Sequence, residues 1–202
     1  MIEYINQIPN IKGIIQVGAN SGQEVGLFKR FTNNIILIEP IPQLAQYLSQ
    51  IHPDCLVIPC GLGSTNNYMD LYLASNGGES SSVLKPLNHP KYYPGILFEY
   101  SIKIQVRTFE SLIDELNIDM DNFNVLVSDA QGYDLEAIKG FGDYVKNFEL
   151  IIAEYINSDL YENDASLDDM ISYLTPLGFK LINTFDENLG AGNAVFKKLI
   201  YK

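Results

Sequence analysis

The sequence predicts an α/β protein with a mostly parallel sheet covered by helices on both faces. Three observations carry this expectation. Short apolar runs alternate with stretches of helical spacing over the first sixty or so residues, in the order β-α-β-α-β. The run over 35–39 is apolar until its last residue rather than alternating, which suits a parallel strand buried on both faces. The last two strand-like segments, 179–185 and 194–200, are joined by residues 186–193, which leave no room for a crossover helix, so they should pair antiparallel.

The elements follow in order. Residues 1–12 form a lead-in punctuated by Pro9 and Asn10. A strand over 13–17 runs into a turn bounded by Gly18 and Gly22, and Val25, Phe28 and Phe31 then recur at helical intervals until Asn33-Asn34. A second strand covers 35–39 and stops at Pro40 and Pro42. Leu44, Tyr47, Leu48 and Ile51 mark one face of the next helix, and a third strand spans 55–60. The period then changes to two: Met69, Leu71 and Leu73, and later Ile102, Ile104 and Val106, alternate with polar residues. They predict an inserted β-hairpin and lid loop over about 68–107, with the irregular stretch 75–95 between its strands. Phe109, Leu112, Ile113 and Leu116 restore a helix, and a strand over 124–128 ends on Asp129. A short helix over 134–139 has acidic residues in its first turn, and another strand covers 149–155. Ser166 and Asp169 form a capping box for a helix carrying Leu167, Met170, Ile171 and Leu174, which Gly178 ends. The whole is a Rossmann-like, seven-stranded, mostly parallel sheet closed by an antiparallel C-terminal hairpin, in one domain over 1–202.

Composition narrows the function. The chain has 202 residues, 47% hydrophobic and 19% charged, as a globular protein has. Its formal net charge is -12, and its 13 Lys and Arg are scattered, so no basic stripe offers a surface to nucleic acid. Cys55 and Cys60 read as reduced thiols, and two histidines with two cysteines have no metal-ligand spacing. No apolar run is long enough to cross a bilayer, and no leader is recognisable at the start, so a cytoplasmic protein without membrane partners is expected. Oligomeric state is not legible.

The chemistry should lie at the carboxyl ends of the strands, where open α/β sheets bind ligands. The turn Gly18-Ala19-Asn20-Ser21-Gly22 lacks the middle glycine that lets a pyrophosphate approach the backbone. That departure favours S-adenosylmethionine over a dinucleotide, although glycine turns after strands are common. Glu39 ends the second strand, where a carboxylate can accept hydrogen bonds from ribose hydroxyls. Asp129 ends a strand expected beside the first, Gln131 is placed for hydrogen bonding, and Glu154 ends the next strand facing the same crevice. Asp134 and Glu136 read as structural residues of a helix's first turn.

These residues carry a resemblance. The chain resembles the FkbM family of class I S-adenosylmethionine-dependent methyltransferases in five ordered stretches: Val17-Gly18-Ala19-Asn20-Ser21-Gly22, Ile38-Glu39-Pro40, Ser80-Ser81-Ser82-Val83-Leu84, Asp129 to Glu136 followed by Lys139-Gly140, and Gly192-Asn193-Ala194-Val195-Phe196. The resemblance implies S-adenosyl-L-methionine as methyl donor and a hydroxyl of a sugar, glycan or other small molecule as acceptor. Gly18, Ala19, Asn20 and Gly22 would hold the donor's methionine end, Glu39 the ribose, and Gly61 and Leu62 would flank the adenine, with Gln16, Glu24 and Pro40 also binding the cofactor. Asp129 and Gln131 would line the junction of donor and acceptor. The loop over 75–95 would cover the site, which makes His89 a candidate general base and places Ser81, Ser82, Tyr92 and Glu154 with the acceptor. Acceptor specificity should sit in 75–95 and 156–166. One departure stands out: Ser128 occupies a position where the family often has lysine, which alters the charge balance around Asp129. Two other readings remain, a nicotinamide-dependent oxidoreductase and a methyltransferase-like binding module without turnover.

Overall fold

A computed structural model describes residues 1–199. Its main sheet has seven strands: β1 (Ile14–Val17), β2 (Ile35–Ile38), β3 (Leu56–Ile58), β7 (Val125–Ser128), β8 (Leu150–Ile156), β9 (Phe179–Asn188) and β10 (Ala191–Lys198). Their order across the sheet is β3-β2-β1-β7-β8-β10-β9. The first five are parallel, and β10 runs antiparallel to both β8 and β9. The expected sheet and closing hairpin are therefore present; Ile200, at the end of the expected last strand, lies outside the described residues.

The apolar runs form these strands because both faces of the sheet are covered. Ile15, Val17, Ile36, Ile38, Leu126 and Ile151 pack on one side with α5 (Phe109–Leu116), α6 (Asp134–Lys139) and α7 (Leu167–Leu174). Ile14, Leu37, Val125, Val127 and Ile152 pack on the other with α1 (Ile2–Ile5), α2 (Val25–Phe28) and α3 (Pro42–Ile51). Alternate residues of one strand thus serve two cores, and neither face can take polar side chains freely.

Two expectations change in detail. The helix after the glycine turn is a single turn: Val25 and Phe28 are buried, whereas Phe31 lies beyond its end and is only half-buried. The inserted hairpin is present as β5 (Asn67–Leu73) paired with β6 (Tyr100–Arg107), but β4 (Gly61–Leu62) joins β6 in parallel, making a separate three-stranded sheet. The third strand expected over 55–60 therefore shortens to Leu56–Ile58 in the main sheet, and Gly61–Leu62, just beyond it, joins the small one. Between β5 and β6 lies the lid loop, which includes the one-turn helix α4 (His89–Tyr92). Its residues 85–89 run along 159–162, held by backbone bonds from Leu87 and His89 to the Leu160 carbonyl and from Glu162 to that of Lys85.

Candidate active site

The chain order reverses between β1 and β7, whose last residues Val17 and Ser128 are partners in register. Past this point the turns that follow the two strands nearly touch. Gly18 has φ +73°, and a Cβ there would lie 1.8 Å from the Asp129 carbonyl oxygen. Gly18 is thus required both by backbone conformation and by close approach. The Asp129 amide donates to the Val17 carbonyl and the Gly18 amide to that of Ile38, so three strand ends are tied together.

A cavity of about 320 Å³ opens here, within the range of small-molecule sites. Gln16, Gly18, Asn20, Glu24, Glu39 and Pro40 line it from the first two strand ends. Gly61 and Leu62 close another side, and Asp129 with Gln131 forms the floor beyond β7. Ser81 and Ser82 come down from the lid loop. Five named residues lie outside that wall. Ala19 is buried behind the turn, and Gly22 faces α3, where a Cβ would lie 2.8 Å from Leu48. Glu154 is in reach only through Gln131. Tyr92 is exposed beside Lys91. His89 is 2% exposed, with its imidazole packed among Tyr93, Phe98 and Tyr161 at ring-centroid distances of 4.9, 5.1 and 5.5 Å. Burial lowers its pKa. The imidazole is a core element of the lid, out of contact with the cavity, and the base expected at His89 must be sought elsewhere. Sequence spacing could not show this, because the burial needs Tyr161, about seventy residues away, packed against Tyr93 and Phe98 of the lid.

Glu39 is held by two backbone donors: Asn20 N–H reaches Oε2 at 2.7 Å and Ile41 N–H reaches Oε1 at 2.8 Å. Burial nevertheless raises its pKa to about 7. Each carboxylate oxygen has a further lone pair, and Glu39 lines the cavity. Gln16 donates from Nε2 to Glu24 at 3.0 Å, while its buried Oε1 has no partner. A cavity residue with an unused acceptor suits a ligand that brings a donor.

The second cluster surrounds the Asp129 motif. Ser128 Oγ donates to Asp134 Oδ1 at 2.5 Å, and the Ala130 amide reaches the same oxygen at 2.9 Å. Asp134 thus clamps the turn from inside, as a structural reading of it requires, but as a fully buried group. Gln131 Nε2 donates to Asp129 Oδ1 at 2.7 Å and to Glu154 Oε2 at 3.1 Å. All three carboxyls have raised pKa values. Desolvation is the main cause for each; Glu24 and Glu79 add to it at Asp129, and Asp129 adds to it at Asp134 and Glu154. Asp129 still meets solvent through the cavity, which tempers its shift. With a serine at 128, the described cavity wall carries Glu24, Glu39, Glu79 and Asp129 but no lysine, arginine or histidine.

Sequence reasoning missed Glu79, Asn193 and Tyr161. The first two line the cavity, and Tyr161 braces it from behind. Tyr161 sits in an aperiodic segment with no local signal; its role arises from contacts across the chain. Among the described residues no group of histidine, cysteine, aspartate and glutamate has an arrangement able to hold a metal ion, and no helix is long and apolar enough to cross a membrane.

The model of the methyltransferase FkbM domain matches residues 16–181, which run from the end of β1 through α7 and hold most of the cavity wall. The chain belongs to the FkbM methyltransferase family. Among curated relatives, the 2-O-methyltransferase NoeI of Sinorhizobium fredii is 21% identical over 183 residues, covering 85% of this chain and 74% of that protein. Among solved structures, an FkbM methyltransferase from Methylobacillus flagellatus aligns with TM-score 0.59 and 15% identity, over 93% of this chain and 43% of that one. Precorrin-6y C5,15-methyltransferase from Geobacter metallireducens aligns with TM-score 0.50 and 10% identity, over 97% and 84%. These likenesses show a methyltransferase fold. Within the FkbM family domain, Gly18, Glu39 and Asp129 sit at the three strand ends that meet at the cavity.

Proposed function

We propose that this FkbM-family protein transfers a methyl group from S-adenosyl-L-methionine to a hydroxyl of a sugar, glycan or other small molecule. The observation that carries the reading is Asp129: a carboxylate at the switch point, held by Gln131, accessible from the cavity and raised in pKa. The likeness to a 2-O-methyltransferase supports oxygen as the acceptor atom.

The residues present suit the donor. Its sulfonium supplies an activated methyl group. The positive charge of such a ligand matches a wall with four carboxylates and no basic side chain among its described residues. Glu39 would accept from the ribose hydroxyls, and the free Gln16 Oε1 from an ammonium. The absence of the pyrophosphate glycine in the Gly18 turn speaks against the dinucleotide alternative.

Asp129 would accept the acceptor's O–H hydrogen bond and take its proton as the oxygen attacks the methyl carbon from the side opposite the departing sulfur. An ordinary aspartate has a pKa of about 3.9, too low for efficient proton removal near neutrality. Partial desolvation in the cavity and the neighbouring carboxyls of Glu24 and Glu79 move Asp129 in the useful direction. Much of the rate would come from holding oxygen and methyl in line, a task for the Asp129–Gln131 floor and the Ser81–Ser82 lid. Expected outcomes are micromolar binding of S-adenosylhomocysteine without NAD binding in calorimetry, and methyl transfer to a member of a glycan panel that falls at least about tenfold in Asp129→Ala. NAD binding without a response to S-adenosylhomocysteine would overturn the reading.

A further inference from the structure

We infer that the Tyr161 hydroxyl is a positioning group for Gln131, fixing its amide so that Asp129 and Glu154 are held by one donor nitrogen at the cavity floor. The inference rests on Asp129 lying at the reacting end of the cavity, as proposed above, but its test needs no turnover.

Tyr161 is fully buried, and its ring belongs to the lid's aromatic cluster with His89 and Phe98. A tyrosine in such surroundings needs a partner for its hydroxyl. Here the single hydroxyl hydrogen lies between two acceptors, the Ser80 carbonyl at 2.8 Å and Gln131 Oε1 at 3.1 Å. One belongs to the lid and the other to the Asp129 motif. The Gln131 amide is thereby used completely: Oε1 faces Tyr161, and the two hydrogens of Nε2 go to Asp129 at 2.7 Å and Glu154 at 3.1 Å.

The reverse orientation of the amide would set Oε1 against two carboxyl groups, so the hydroxyl donor and the two acid acceptors select the same rotamer. The backbone is fixed as well. Gln131 has φ +51°, and its carbonyl accepts from Ser82 Oγ at 2.7 Å. A side chain with no remaining freedom is a suitable rest for a carboxylate that must meet a substrate hydroxyl within tenths of an ångström.

The consequence concerns Asp129. It is faced by Glu24 from the turn after β1, Glu79 from the lid, Asp134 from α6 and Glu154 from β8, all acidic. The Gln131 donor opposes them by stabilising the charged form of Asp129. Loss of the Tyr161 hydroxyl frees the amide, weakens that bond and moves the titration of Asp129 to higher pH.

The test is carbon-13 NMR of the full chain labelled at aspartate carboxyls, without added ligand, with Asp129→Asn identifying the resonance. Tyr161→Phe keeps the ring in its cluster and should raise the Asp129 midpoint by about 0.5 unit or more. Gln131→Leu should raise it at least as far, and the double variant no further than Gln131→Leu alone. An unmoved midpoint in a folded Tyr161→Phe protein, or additive shifts in the double variant, overturns the inference. Should Tyr161→Phe fail to fold, an unmoved midpoint in Gln131→Leu overturns it instead.

Discussion

Gly18 shows how one residue can serve a turn and a site together. A side chain at that position would meet the Asp129 backbone at 1.8 Å, and backbone cannot move aside as a flexible side chain would. Gly18→Ala must therefore separate the ends of β1 and β7. We expect a loss of about 3 kcal/mol or more in urea unfolding, together with loss of S-adenosylhomocysteine binding in calorimetry. A neutral substitution would mean that the two turns do not meet. The sequence marks Gly18 as the end of a strand, but not the neighbour that forbids a methyl group there. Likewise Gln131 is legible as a polar residue in a motif, whereas its three partners, Asp129, Glu154 and Tyr161, span residues 129–161 and emerge only when β7, β8 and the lid seam are packed together. His89 illustrates the opposite: a histidine before a proline in a polar loop reads as accessible, and three aromatic rings from the lid and the 157–165 segment bury it.

Among the elements, those with strong local signals form as expected. The capping box on α7 is complete: Asp169 N–H donates to Ser166 Oγ at 3.2 Å, and the Ser166 amide donates to Asp169 Oδ2 at 3.1 Å. Ser166→Ala removes the first of these. It should cost about 1 kcal/mol in urea unfolding while leaving ligand binding unchanged, because α7 lies on the sheet face and away from the cavity wall. A cost near zero would show that packing of Met170 and Leu174 alone holds the helix start. The terminal hairpin is longer than its apolar runs suggest, because β9 and β10 continue to a tight turn at Leu189 and Gly190, both with positive φ. That conformation matches the right-handed twist of the paired strands. In contrast, α2 is shorter than its pattern. Three apolar residues at helical spacing fit one buried face, but only Val25 and Phe28 reach the core before the chain must turn back into β2.

At the scale of the whole molecule, the balance of acids decides how stability responds to pH. Burial raises Glu39 and Asp134 each to about 7, against about 4 for such groups in an unfolded chain. Between those values the folded state binds more protons than the unfolded one, so the stabilising contribution is complete at the acid end and is lost as pH rises through about 7. For Glu39 alone this is on the order of 3 kcal/mol. The protein without ligand should therefore be more stable to urea at pH 5.5 than at pH 8, and a cationic ligand should reduce the difference. Greater stability at pH 8 would show that these carboxyls are hydrated. The sheet, the closing hairpin, the glycine turn, Glu39 and the Asp129 motif are all written in the order of residues, because hydrophobic period, turn chemistry and strand ends are local properties of the chain. Which of those residues meet depends on packing. It brought Glu24, Glu79 and Asp129 to one cavity, moved His89 into the core and set Tyr161 behind Gln131, since burial and charge are properties of the neighbours a residue acquires when distant segments pack.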